Sequence, residues 1–193
     1  MSDRDALLKR SLAALGDEPY ALIGGQALLI YGLARQTDDI DLLVGTRHIL
    51  EPARWAVGDP PVVLRRSSDP TDPLDGVAVL APETDDDGAP LPDSPVATEV
   101  IVLDRDWARA ILARATSRAQ VAGVEVPVVD LADLAILKAY AGGALDRSDV
   151  ASMSERADWT DVRRTAEARL VDGPAAARRN WIRWMRLFDE PGE

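Results

Sequence analysis

The stretch YALIGGQALLIYGLARQTDDIDLLV, residues 20–44, decides how this chain is read. Tyr20 to Ile23 is a short apolar run that stops at Gly24-Gly25, as a buried strand does. Gln26 to Leu33 reads as a helix, with Gly32 where it terminates, and Ile40 to Val44 reads as a second strand. A glycine pair between a strand and a helix lets backbone approach an anion. The helix start adds free N–H groups and a positive dipole end. Asp39 and Asp41 are two residues apart, so on a strand both carboxylates point to one face, with backbones about 7 Å apart. Two hard oxygen ligands at that spacing suit one or two magnesium ions bridging phosphate oxygens. Taken separately these features are ordinary: a Gly-Gly pair is usually a turn, and Asp-x-Asp entering a strand is commonly a solvated cap. Together they place charge against Ile40, Leu42, Leu43 and Val44, where a carboxylate without a partner is costly.

Working outward, residues 4–15 place Leu7, Leu8, Leu12 and Leu15 at helical spacing and end at Gly16. Arg47 to Val57 reads as a helix that must absorb Pro52. Pro61 to Arg65 and Gly76 to Leu80 are strands, and Ala81 to Pro95, with four prolines and five acids, is a loop. Val96 to Leu103 is a strong strand, Asp106 to Ala113 a helix, and Gln120 to Val129 one or two strands broken at Gly123 and Pro127. From Asp130 onward the pattern is helical, over 130–141, 146–157, 159–170 and 175–188. The fold class is α/β (α+β): a mixed β-sheet flanked by helices over residues 1–128, with a helical C-terminal part, 129–193, packed on it.

Composition narrows the chemistry. The chain has no cysteine, so disulfides and thiolate metal sites are excluded, and its single histidine, His48, excludes a multi-histidine zinc site. No run approaches the roughly 20 apolar residues of a membrane span, and a cytoplasmic protein is expected. The net charge of −11 is uneven. Nine acids and no Lys or Arg lie between Asp69 and Glu99, which leaves −2 for the rest of the chain. One segment, rather than the whole protein, repels nucleic acid.

Gly24-Gly25-x-Ala27, Gly32, Arg35-x-Thr37 and Asp39-Ile40-Asp41 resemble the signature of the minimal nucleotidyltransferases of the polymerase-beta superfamily, in particular the AbiEii-like branch. The resemblance continues through Val126-Pro127-Val128-Val129 into Asp130-Leu131-x-Asp133-Leu134, then Lys138, Asp146 and Asp149, and so covers roughly residues 20–150. It implies transfer of a nucleotide from an NTP to a hydroxyl acceptor with one or two Mg2+ ions. It also implies tRNA as acceptor and the role of a toxin with a cognate antitoxin protein. The metal ligands would be Asp39, Asp41 and Glu99. Gly24, Gly25, Arg35, Thr37, Lys138 and Asp149 would hold the nucleotide, and Asp39, Asp41, Glu99 and Lys138 would carry catalysis. The acid-rich 69–99 segment favours a different acceptor, a small cationic molecule such as an aminoglycoside. A glutamate where the family carries aspartate allows a third reading, an inactive nucleotide- or partner-binding module.

Individual residues keep two readings each. Glu99 alternates with Ala97 and Ile101 on an apolar strand; it either completes the metal site and acts as base or faces water at a strand edge. Lys138 lies inside an apolar stripe and must reach an anion, either a triphosphate oxygen or a neighbouring aspartate. Asp146 is a helix N-cap and Asp149 a first-turn acid, or Asp149 contacts Lys138 or nucleotide. Arg35 lies by the phosphates or pairs with local acids, and His48 has no partner in view. In the last helix Ala177, Trp181, Trp184 and Phe188 form one stripe and Arg179, Arg183 and Arg186 another, with Arg178 beside them. That pattern fits RNA binding or a helix with its tryptophan face in the core.

Overall fold

A computed structural model of the protein describes residues 3–37, 39–56, 62–69, 74–81 and 98–189. The chain forms two compact units, Met1–Val129 and Asp130–Glu193.

The first unit is built on a seven-stranded mixed sheet. Its strands are β1 (Tyr20–Ile23), β2 (Ile40–Val44), β3 (Val62–Arg66), β4 (Gly76–Leu80), β5 (Thr98–Val102), β6 (Ser117–Val121) and β7 (Val124–Val128), in spatial order β3-β4-β5-β2-β1-β7-β6. β2 runs parallel to β5 and β1 parallel to β7, while the other neighbours are antiparallel. The central strands are covered on both faces: Ala21, Leu22, Ile23, Ile40, Leu42, Leu43 and Val44 are all buried. That is why they read as continuous apolar runs instead of alternating ones. Helices α1 (Asp3–Leu15), α2 (Gly24–Ile30) and α3 (Asp106–Arg114) pack against the sheet. In α1 the buried stripe is Leu7, Leu8, Ser11 and Leu15. Ser11 belongs to it because its hydroxyl donates to the Leu7 carbonyl at 3.0 Å, whereas Leu12 stays half-exposed.

Three elements differ from the sequence reading. The glycine pair does not sit in a loop before the helix but forms its first turn, and α2 ends at Ile30. Residues 47–57 do not form one helix. They make two short 3-10 turns, Arg47–Leu50 and Pro52–Trp55, because the residue before a proline is pushed out of the helical region: Glu51 is extended at φ −74°, ψ 123°. Pro127 does not break its strand. Contact with β1 begins at Val128, one residue past it, so the missing N–H is not needed there. The break is the two-residue turn Ala122-Gly123, both at positive φ, which closes the β6–β7 hairpin. Residues 82–97, with most of the predicted acidic loop, lie outside the described residues.

The second unit contains α4 (Leu131–Ala141), α5 (Ala144–Ser154), α6 (Trp159–Leu170) and α7 (Ala175–Asp189). The other three helices pack against α4. Asp130 caps α4 by accepting the Asp133 N–H at 2.8 Å, and the helix stops at Gly142 with φ 76°. Buried Asp133 is matched by Arg169 at 3.0 Å, which also holds Asp130. Trp181 and Trp184 are buried, and Trp181 lies 6.0 Å from the Trp159 ring. The tryptophan stripe of the last helix is therefore core. No helix among the described residues is long and apolar enough to cross a membrane.

Asp75, counted above among the acids that repel nucleic acid, is buried beside β4. Its carboxylate pairs with Arg47, accepts the Asp104 N–H at 2.8 Å and pairs with Arg105 at 2.7 Å. Burial alone would raise its pKa, but the Arg47 hydrogen bond, the Asp104 N–H and the two guanidinium charges together hold it below the usual value. A depressed folded pKa means stability that is present above the unfolded pKa and lost as pH falls. Asp75→Asn should cost about 1–3 kcal/mol near neutral pH. The gap between wild type and variant in urea midpoint should narrow below about pH 4.

Candidate active site

The register between β2 and β5 places Asp41 directly beside Glu99. Ile23 flanks Asp41 on β1, and Val79 flanks Glu99 on β4. Side chains at paired positions share a face of the sheet, so two carboxylates stand next to each other, about 4.8 Å apart at the backbone. Asp39 lies just ahead of β2 and is exposed. The Glu99 carboxyl is held above the ordinary carboxylate range, first by burial and second by the charge of Asp39; Arg65, on β3, pulls it back. Of the two readings of Glu99, the structure gives a half-buried group beside Asp41 within reach of the Asp39 charge, not a solvated edge residue.

The glycines fit this acid row closely. Gly24 has φ 65°, and a Cβ placed on it would lie 1.8 Å from Asp41 Oδ2. A Cβ on Gly25 would lie 2.5 Å from the Thr37 methyl carbon. Gln26 Nε2 donates to the Thr37 carbonyl at 3.0 Å. The first turn of α2 thus meets both Asp41 and the loop leading to it. That Gly24 would crowd an acid, and Gly25 a threonine, is more than the spacing alone revealed. Arg35 is half-buried on the same loop, its guanidinium 3.5 Å from the Gln36 carbonyl.

Among the described residues no three carboxylate or imidazole groups stand close enough to hold a metal ion by themselves. The adjacent Asp41 and Glu99, with Asp39 nearby, nevertheless fit magnesium. That ion dehydrates reluctantly and typically takes one or two carboxylates plus substrate phosphates rather than a closed protein cage.

Lys138, Asp146 and Asp149 belong to the helical unit, and the structure brings all three together. Lys138 Nζ is 3.0 Å from Asp146 Oδ1 and 2.8 Å from Asp149 Oδ2. Burial works to lower the Lys138 pKa, and the hydrogen bonds and charges of the two acids outweigh it, so it is raised. Asp146 is not the N-cap of α5. It sits in the first turn and reaches back to accept the Gly143 N–H at 3.0 Å. His48 does have a partner: its Nδ1 is 3.0 Å from Glu51 Oε1, three residues further on. Arg65 was missed altogether. Its alternation with Val63 was visible in the sequence, but the registers that bring it onto the face of Glu99 were not.

No protein-family model matches the chain, and no curated protein matches its sequence. Among solved structures, a candidate nucleotidyltransferase from H. pylori is 14% identical, covering 97% of this chain and 96% of that one, with a TM-score of 0.44. JHP933 from Helicobacter pylori is 15% identical over 96% and 90%, with a TM-score of 0.42. An antigenic nucleotidyltransferase-like protein from Paracoccidioides brasiliensis is 14% identical over 92% and 94%, with a TM-score of 0.45. At these identities the likeness says nothing about chemistry.

Two outcomes test the geometry. An acid whose folded pKa is raised destabilises the native state once the pH exceeds its unfolded value. Glu99→Gln should therefore raise the melting temperature at pH 7.5, and the gain should vanish below about pH 4. Gly32→Ala, at φ 75° with open space around it, should meet only the left-handed penalty of about 1–2 kcal/mol. Gly24→Ala should cost more, and should also shift the Glu99 carboxyl resonance in an NMR titration.

Proposed function

We propose that the protein is a metal-dependent nucleotidyltransferase that moves an NMP from an NTP to a hydroxyl acceptor. The observation that carries this reading is the register pairing of Asp41 with Glu99, close against Gly24 and within reach of the Asp39 charge. Adjacent carboxylates in a half-buried row are unfavourable without a cation, and such arrangements cluster at functional sites.

In this reading Asp39, Asp41 and Glu99 would hold one or two Mg2+ ions, which would supply charge neutralisation of the triphosphate. Gly24, Gly25, Thr37 and Arg35 line the side from which the phosphates enter. The acceptor oxygen forms a bond to the α-phosphorus while the bond from that phosphorus to the bridging oxygen breaks, and pyrophosphate leaves with the electron pair. The hydroxyl proton goes to Glu99, the carboxylate that the β2–β5 register sets beside Asp41. Lys138, held between two aspartates, is the further cation that the family resemblance would direct to nucleotide.

The acceptor we favour is tRNA, in keeping with the AbiEii-like resemblance, with the protein acting as the toxin of a toxin–antitoxin pair. In α7, Arg178, Arg179, Arg183 and Arg186 are exposed while the tryptophans are buried, leaving a cationic face for phosphates. The rival cationic acceptor loses support because Asp75, one acid of the segment meant to attract it, is already neutralised by arginines.

Purified protein incubated with each labelled NTP, with and without total tRNA, tests the proposal. Label should move to RNA in the presence of magnesium and stay on the NTP with EDTA. Asp39→Ala and Asp41→Ala should each lower transfer at least about a hundredfold, with the far-UV spectrum unchanged. Wild-type turnover in either variant would show that the acid row is not the reaction centre.

A further inference from the structure

The spatial order β3-β4-β5-β2-β1 puts two different surroundings on either side of the acid pair. On the β1 side stand Gly24, Gly25 and Thr37. On the β5 side the same face of the sheet continues through Val79 and Val63 in the row of Glu99, and through Ile101, Val77 and Arg65 in the next row. Val79 is buried, but Val63, Val77 and Ile101 around it are only half-buried, so the accessible part of this face is an apolar floor that ends in a cation. Arg65 is exposed, and among the described residues it forms no ion pair with a carboxylate. It lines a shallow cavity of about 430 Å³ with Ser67, Ser68, Leu74 and Val77; Asp69 also lines the cavity and brings one opposing charge.

Two strand spacings of about 4.8 Å and two residues of about 3.3 Å put the Arg65 backbone about 12 Å from that of Glu99. The arginine and glutamate side chains rise from the same face and are long enough to cover part of that gap. What remains is the span of one nucleotide unit, from its 3′ hydroxyl to its 5′ phosphate.

Resting on the nucleotidyltransferase reading, we infer that Arg65 binds the last phosphodiester of an RNA acceptor whose 3′-terminal hydroxyl lies at Glu99, with the terminal sugar and base over Val63, Val77 and Ile101. The NTP enters from the glycine side and the acceptor from the β3–β4 side, so the two reactants do not compete for one cation. Arg65 is then a positioning and specificity residue: it selects an acceptor that carries phosphate and disfavours a polycation.

The test compares wild type, Arg65→Gln and Arg65→Lys on a short oligoribonucleotide, and on the same oligomer with a neutral methylphosphonate at its last linkage. Arg65→Gln should raise KM for the natural oligomer about tenfold and leave KM for the NTP unchanged. It should have little effect with the methylphosphonate acceptor, and Arg65→Lys should recover part of the loss. Fluorescence anisotropy gives a readout that needs no turnover: removing one phosphate contact should lower the slope of log affinity against log salt by about 0.7. Equal loss on both acceptors, a raised NTP KM or an unchanged salt slope would overturn the assignment of Arg65. Transfer by wild type to a polycationic aminoglycoside but not to RNA would overturn it while leaving nucleotidyl transfer intact. No binding of labelled NTP by wild type would instead sink the nucleotidyltransferase reading, and this inference with it.

Discussion

The pairing of β2 with β5 in parallel register sets two carboxylates side by side on a face that is otherwise apolar. Everything around them answers to that placement. Gly24 has no side chain because Asp41 occupies the space one would fill. Glu99 resists ionisation because burial and Asp39 both oppose its charge. The buried cores of β1 and β2 fix the strands so firmly that the acids cannot drift apart to relieve each other. A sheet selected for stability alone would carry a hydrophobic residue at one of these positions. Keeping both acids costs native-state stability, as two adjacent like charges do.

Much of the first unit was legible in the sequence because its signals are local. Apolar runs bounded by glycine gave β1 and β2, although β2 begins at Ile40, so Asp39 lies ahead of the strand that carries Asp41. What was not legible was which strand would lie next to β2. Glu99 could face water or the acids with equal consistency until register was known, because one strand carries no information about its neighbour's phase. The misreading at residues 47–57 is of another kind. The helix read there was expected to absorb Pro52, but the backbone restriction that Pro52 places on Glu51 splits it into two short turns. Arg65 went unnoticed because nothing in the sequence near it marks chemistry; only the sheet order connects it to Glu99.

The helical unit shows the opposite balance. Its helices followed from periodicity to within a few residues, and the roles of its charged residues followed less well. Lys138 lies in an apolar stripe because Asp146 and Asp149 meet it from α5. Arg169 makes the corresponding pairing with Asp130 and Asp133 across α6 and α4. Both are ion pairs between helices, and they tie α5 and α6 to the most buried helix of the unit. A buried charge without its partner would be expensive, so these pairs specify which helix faces which, as well as adding stability.

The β2–β5 pairing also bears on how the protein reaches its folded state. β1, α2 and β2 are close in sequence and can associate early, whereas β5 joins β2 only after the whole β3–β4 excursion has been gathered in. Long-range parallel pairing is slow to form because chain entropy is lost before the contacts that compensate for it appear. On this topology the acid row is expected to be completed late, with the edge of β2 exposed until β5 arrives. Unpaired strand edges invite association between chains. A negative charge at Asp41 would, on that temporary edge, oppose pairing between the β2 strands of two unfolded chains.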